Sequence, residues 1–260
     1  MRLLVTGGRT GYLGRHVAAA AAAGHEVVAV GSADADVRDA EAVDSLVERH
    51  RPDAVIHTAY VQSDRAVTAD GAAHVARAAA RHGARMVLVS SDVVFGGSDR
   101  PYDEAAPTDP VSPYGEAKVA AERAVLDIRA DAVVARTSLI LGDGASQHEE
   151  LVRRLAAGAE GGLFEDERRC PVHVKDLARA LVELAEGDVQ GVLHVAGAGG
   201  MSRYELGRLI ARRDGLDPDV LRATTRAELA VPGPVDVRLD SSRAATLLST
   251  RLRGAREFLA

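Results

Sequence analysis

The chain has 260 residues, of which 47% are hydrophobic and 27% charged, enough to bury one core with a small lobe and too apolar for extensive disorder. Its net charge of −6 provides no basic field, so neither nucleic acid nor a membrane surface is expected as a partner. Cys170 is the only cysteine, which excludes a disulfide framework and a cysteine-based zinc site. The nine histidines include no H-x-x-x-H spacing, so no metal is expected.

Leu3-Leu4-Val5-Thr6 reads as a buried strand. It breaks into Gly7-Gly8-Arg9-Thr10-Gly11-Tyr12-Leu13-Gly14, and residues 15–23 continue as an alanine-rich helix. Strand, glycine turn and helix start together make an anion site: the glycines let the backbone approach a pyrophosphate, and free N–H groups at the helix start point at it. Gly7, Gly8, Arg9, Thr10, Gly11, Tyr12 and Leu13 are therefore cofactor-binding candidates. Gly8, Gly11 and Gly14 are three apart, a looser pattern than G-x-G-x-x-G. Met1-Arg2 leads straight into the first strand, and the alanines of 18–23 are too short a run to span a membrane, so the cytoplasm is the expected location.

Residues 26–30 form a second strand that closes a βαβ unit. An acid at its end would hydrogen-bond the adenosine ribose of NAD. This chain has Gly31-Ser32-Ala33 there, with no acid before Asp34 and with Arg9 nearby, which favours NADP over NAD. Should NAD be preferred, Asp34 or Asp36 would be the ribose partner. Ser32, Asp36 and Val37 join the cofactor-binding candidates. A helix over 39–50 stops at Arg51-Pro52. The strand over 54–60 carries Thr58, Ala59 and Tyr60 to the carboxyl edge, where such sheets bind ligands.

A helix over 69–82 precedes a strand over 85–89 that ends in Ser90-Ser91-Asp92. A turn-rich loop over 96–113 leads to a helix from 114 to about 126, and 132–137 is a fifth strand. Strands alternating with helices imply an α/β fold, a Rossmann-type doubly wound parallel sheet. The composition shifts after Gly142. Glycines surround 158–162, a helix runs over 176–186, residues 191–195 are strand-like, and Ser202 with Glu205 opens a helix through Arg213. Residues 1–142 are thus read as the dinucleotide-binding domain. Residues 143–260 are read mainly as a small C-terminal substrate lobe over the carboxyl edge, with segments returning to the core.

Tyr114-Gly115-Glu116-Ala117-Lys118 puts a phenol and an ammonium four residues apart, on one helix face. The lysine cation is expected to lower the tyrosine's pKa and make Tyr114 a general acid or base near neutrality. Ser91, at the end of a neighbouring strand, would hydrogen-bond a substrate carbonyl oxygen. Arg168, Arg169 and Arg203 are the arginines to test for a diphosphate, because guanidinium binds phosphate in a bidentate way.

With these residues in place, the chain resembles the extended short-chain dehydrogenase/reductase superfamily nearly end to end. Within it, the chain is similar to the dTDP-4-dehydrorhamnose reductases and their sugar-nucleotide-binding relatives. The likeness rests on the glycine turn, Val55-Ile56-His57-Thr58-Ala59, Ser90-Ser91-Asp92-Val93-Val94-Phe95-Gly96, Tyr114 to Lys118, and Arg169-Cys170-Pro171-Val172-His173-Val174. It implies NADP-dependent reduction of a ketone, with a nucleotide sugar as the substrate. Tyr114 would supply the proton, Lys118 would hold the nicotinamide ribose, and Ser91 would replace the family's usual threonine. Asp92, Val93, Arg168 and Arg169 are the substrate-binding candidates.

Several positions depart from the family pattern. The turn has one residue more between Gly7 and Gly11 than T-G-x-x-G-x-x-G. Val93 stands where related reductases carry tyrosine and dehydratases a catalytic glutamate, which sets dehydration aside. Thr68 replaces a common asparagine. Two other readings stay open: an epimerase using the same residues, and a non-catalytic cofactor-binding subunit. A homodimer is expected through the alanine-rich 72–80 segment and the 114–126 helix.

Overall fold

The computed structural model describes residues 1–260. Its first half alternates strands β1 (Arg2–Thr6), β2 (Glu26–Val30), β3 (Ala54–His57), β4 (Arg85–Ser91) and β5 (Val133–Thr137) with helices α1 (Tyr12–Ala21), α2 (Ala40–His50), α3 (Gly71–Arg81) and α4 (Pro113–Ile128). The second half has short strands β6 (Ile140–Leu141), β7 (Leu163–Phe164), β8 (Arg168–Arg169), β9 (Val172–His173), β10 (Gly191–His194), β11 (Met201–Ser202) and β12 (Ala223–Thr224). Its helices are α5 (Gln147–Ala156), α6 (Val174–Glu186), α7 (Arg203–Arg213), α8 (Ser242–Leu247) and α9 (Ala255–Phe258).

The main sheet has six parallel strands in the order β10-β5-β4-β3-β1-β2. From β1 the chain first steps outward to β2, then returns past β1 to β3, β4, β5 and β10. That reversal leaves a crevice beyond the carboxyl ends of β1 and β3, where ligands enter doubly wound sheets. Strand alternation sorts the core. Leu3, Val5, Ile56, Val87 and Val89 face α1 and α6. Leu4, Val55, Met86, Leu88 and Val134 face α2, α3 and α4. With both faces covered, the strands are apolar almost throughout.

The strand-like 191–194 segment is the sixth strand of this sheet, paired to β5, so it belongs to the sheet layer and not to the lobe. The lobe has its own core of Leu141, Val152, Leu163, Met201, Ile210 and Leu221. Two-residue ladders, β6 with β9, β7 with β12 and β8 with β11, stitch it together.

Helix starts follow cap chemistry. Asp39 accepts from the backbone of Glu41 and Ala42, and Ser112 accepts from Gly115 with Pro113 at the first helical position. Ser146 with Glu149 and Ser202 with Glu205 form capping boxes. The helix expected from 69 begins with a π-helical turn, Ala66–Asp70, before α3. The alanines expected to pair two copies are packed inside one: Ala72, Ala76 and Ala79 are fully buried against the chain's own sheet. The outward positions of α3 and α4 are charged, among them Arg77, Arg81, Glu116 and Arg123. No helix is long and apolar enough to cross a membrane.

Candidate active site

A cavity of about 860 Å³ runs along the carboxyl edge, between the sheet and the lobe. One end is the glycine turn. Gly7 sits in the left-handed region at φ 69°. A Cβ on Gly14 would lie 2.1 Å from the Gly7 carbonyl oxygen, so the start of α1 can approach the turn only as glycine. Thr58 Oγ donates to the Thr6 carbonyl at 2.6 Å, which ties the ends of β3 and β1 together. Gly7, Thr10, Gly11, Tyr12, Leu13, Thr58, Ala59 and Tyr60 all line the cavity.

Two residues expected in this set do not line it. The Gly8 N–H turns back onto the strand ends, donating to the Val5 and Val30 carbonyls at 3.2 and 3.0 Å. Arg9 is paired with Asp34 at 2.9 Å, and the other Asp34 oxygen accepts from the Gly31 N–H at 2.8 Å. The guanidinium expected at a 2′-phosphate is therefore held by a carboxylate outside the cavity wall. Ser32, Asp36 and Val37 do line the wall, together with Arg38, which sequence reasoning missed. Arg38 grips Asp36 at 2.6 Å, and its hydrogen bonds hold that carboxyl down at about 2. An arginine two residues after an acid, just past the second strand, was the available signal.

The middle of the cavity is the end of β4 and the first turn of α4. Gly115 permits the contact between them, because a Cβ there would lie 2.3 Å from the Val93 carbonyl. Ser91, Val93, Tyr114 and Lys118 line this wall. The Tyr114 ring lies 5.8 Å from that of Tyr60, and Lys118 Nζ is 5.1 Å from the Tyr60 ring centre and 5.9 Å from that of Tyr114. Ser91 Oγ donates to Asp92 at 3.2 Å.

Here the electrostatics differ from the sequence expectation. The Lys118 ammonium donates to the Val89 carbonyl at 3.0 Å. It does not lower Tyr114. Burial raises the tyrosine's pKa, and Tyr60 and Asp92 push it further up. Tyr114 is thus held as a neutral phenol, the form with a proton to give. Burial pulls Lys118 down to about 8, with Glu122, one turn below, opposing it. Glu122 is buried in a bidentate pair with Arg136, at 2.7 and 2.9 Å, and accepts from Ser90 Oγ at 2.5 Å.

The lobe end is built from charges. Asp92, expected to touch substrate, lines the cavity as a buried carboxylate held by Ser138 Oγ and Arg169, each at 2.6 Å. Arg169 also donates to Glu167 at 3.0 Å, and Glu167 in turn pairs with Arg226, whose guanidinium lies 4.7 Å over the Phe164 ring. Asp92, Arg169, Glu167 and Arg226 thus form a chain of alternating sign. Arg168 lies outside the cavity. One residue along β8 from Arg169, it points to the other side, half-exposed and 4.0 Å from Asp236.

Arg203, the first residue of α7, lines the cavity with its Nη1 3.2 Å from His148 Nδ1. Burial, with Arg203 and Arg169 beside it, pushes His148 down to about 3, so the ring is neutral. His148 and Arg226 were not anticipated. They come from a helix and a loop whose sequence carries no motif.

The model of the RmlD substrate binding domain family matches residues 1–260. A dTDP-4-dehydrorhamnose reductase of Mycolicibacterium smegmatis is 38% identical over 278 residues, covering 99% of this chain and 84% of that protein. A solved dTDP-4-dehydrorhamnose reductase ortholog from Clostridium acetobutylicum superposes with a TM-score of 0.89 at 25% identity, over 100% of this chain and 97% of that one. The Bacillus anthracis dTDP-4-dehydrorhamnose reductase, solved in complex with NADP, shares the fold with a TM-score of 0.89 at 24% identity, over 99% of this chain and 96% of that one.

Proposed function

We propose, for a chain that belongs to the RmlD substrate binding domain family, that it is an NADP-dependent reductase acting on the ketone of a nucleotide sugar. The observation that carries this reading is a single cavity that joins three features: the glycine turn, the wall of Ser91, Tyr114 and Lys118, and a chamber with three arginines. The glycine turn fits a dinucleotide, since glycine at 14 lets the start of α1 come up against the Gly7 turn, with both lining the cavity. NADPH, when bound, supplies the hydride. Tyr114, held neutral by burial, gives its proton to the nascent alkoxide oxygen. Ser91 donates a hydrogen bond to that oxygen and aligns it with the phenol. Lys118 presents its ammonium to the nicotinamide ribose.

Tyr114→Phe keeps the ring and removes the phenolic proton assigned to the alkoxide. On dTDP-4-dehydrorhamnose, kcat should fall about 10²–10⁴-fold with NADPH affinity unchanged. Lys118→Ala should damage both turnover and cofactor affinity, and Ser91→Ala should cost less than either. Full turnover by Tyr114→Phe would make the tyrosine structural. A cytoplasmic homodimer across α3 and α4 belongs to the same reading and rests on the superfamily likeness. Light scattering that gave a 27.2 kDa particle would remove the dimer.

A further inference from the structure

We infer that Arg203, oriented by His148, is the residue that receives the anionic group of the substrate, a diphosphate ester. This rests on the nucleotide-sugar reading and assigns the residue that makes it selective. Three guanidinium groups line the lobe end of the cavity. Two of them are already neutralised: Arg169 lies between Asp92 and Glu167, and Arg226 is paired with Glu167. Arg203 forms no ion pair. Its hydrogen-bond partner is the imidazole of His148, at 3.2 Å.

That partner matters because of its charge. A carboxylate would orient the guanidinium and also cancel it. A neutral ring accepts through Nδ1, carries its own proton on Nε2, and leaves the full positive charge facing the cavity. Burial works against the charged form of Arg203; Glu167 and Asp92 favour it from beyond ion-pair distance, but each is already engaged by Arg169 or Arg226. A buried cation without a paired counter-ion is costly to a fold. An anionic ligand supplies the missing charge, and the planar fork matches phosphate oxygens two at a time.

The test titrates the NADP-loaded protein calorimetrically with thymidine diphosphate and with thymidine, for wild type, Arg203→Gln, Arg203→Lys and Arg168→Gln. Wild type should bind the diphosphate more tightly than the nucleoside. Arg203→Gln should weaken the diphosphate by at least about tenfold and leave thymidine unchanged. Arg203→Lys should recover part of that loss, and Arg168→Gln should match wild type. Unchanged NADP affinity in each variant reports an intact fold. The assignment is overturned if Arg203→Gln keeps wild-type diphosphate affinity, or loses diphosphate and thymidine equally. In those cases continued NADPH-dependent turnover of dTDP-4-dehydrorhamnose by wild type leaves the reductase reading standing. If wild type neither prefers the diphosphate nor turns over that ketone, both readings fail.

Discussion

At the sheet end of the cavity the chemistry is delivered by backbone; at the lobe end it is delivered by charge. Ser91 closes β4, and Tyr114 and Lys118 stand on the first turns of a helix fixed by Ser112, Pro113 and Gly115, so their places follow from register and capping. Arg169, Arg203 and Arg226 come from a two-residue strand, a helix start and a loop, and carboxylates or a histidine hold two of them in a continuous chain and the third alone. The two ends should therefore fail differently. Removing Glu122 at the sheet end strands the Arg136 guanidinium, which cannot shed its charge; removing Arg169 at the lobe end strands the Asp92 carboxylate, which can take up a proton.

The largest expected effect tests the first half of that contrast. Glu122→Ala leaves Arg136 buried without a carboxylate and should cost about 3–5 kcal/mol of stability. Denaturant titration measures it, and the double replacement Glu122→Leu with Arg136→Met should recover most of the loss. Arg169→Met should cost less, about 2–3 kcal/mol at neutral pH, because Asp92 can take up a proton and Glu167 keeps Arg226. Burial already raises Asp92 in the wild type. A raised folded-state pKa contributes stability that is present at low pH and lost as pH rises through it. The Arg169→Met deficit should therefore shrink on going from pH 7 towards pH 5. A deficit independent of pH would mean that Asp92 stays ionised.

Lys118 provides a smaller and gradual effect. Its cation is half lost near pH 8, so kcat/KM should fall by up to about tenfold per pH unit above that value, and Lys118→Arg should remove this limb. Stability should move the other way. Between about 8 and the unfolded value of 10.5 the folded chain binds fewer protons than the unfolded one, and its stability rises with pH across that window. Activity and stability falling together there would remove Lys118 as the titrating group. The smallest effect is expected at Arg168, where Arg168→Gln should change stability by less than about 0.5 kcal/mol and leave turnover alone.

How far the sequence could be read follows the same division. The strands of the first half announce themselves by apolar runs ending in glycine or serine, and Tyr114 and Lys118 by their spacing, because local backbone preference decides where those residues go. The interior of α3 shows what composition does not separate: the same alanines suit a helix–helix contact between two copies and a close fit beneath the chain's own sheet, and Ala72, Ala76 and Ala79 take the second place. At the lobe end, Arg168 and Arg169 are indistinguishable in sequence, and a strand of two residues sends one into the cavity and the other out. Arg9 was legible as a nearby cation, but its partner Asp34 was needed to see that the charge is already engaged. Pairings of this kind join residues far apart in the chain, as Asp92 and Arg169 are, and no local pattern records them.

The central claim is net reduction, and the direct measurement is the stoichiometry of NADPH loss on mixing the wild-type protein with dTDP-4-dehydrorhamnose. The site as described predicts one NADPH oxidised for each ketone removed. Substrate that interconverts while NADPH is conserved would identify an epimerase, and cofactor that binds while neither is consumed would identify a binding subunit; either result contradicts the account.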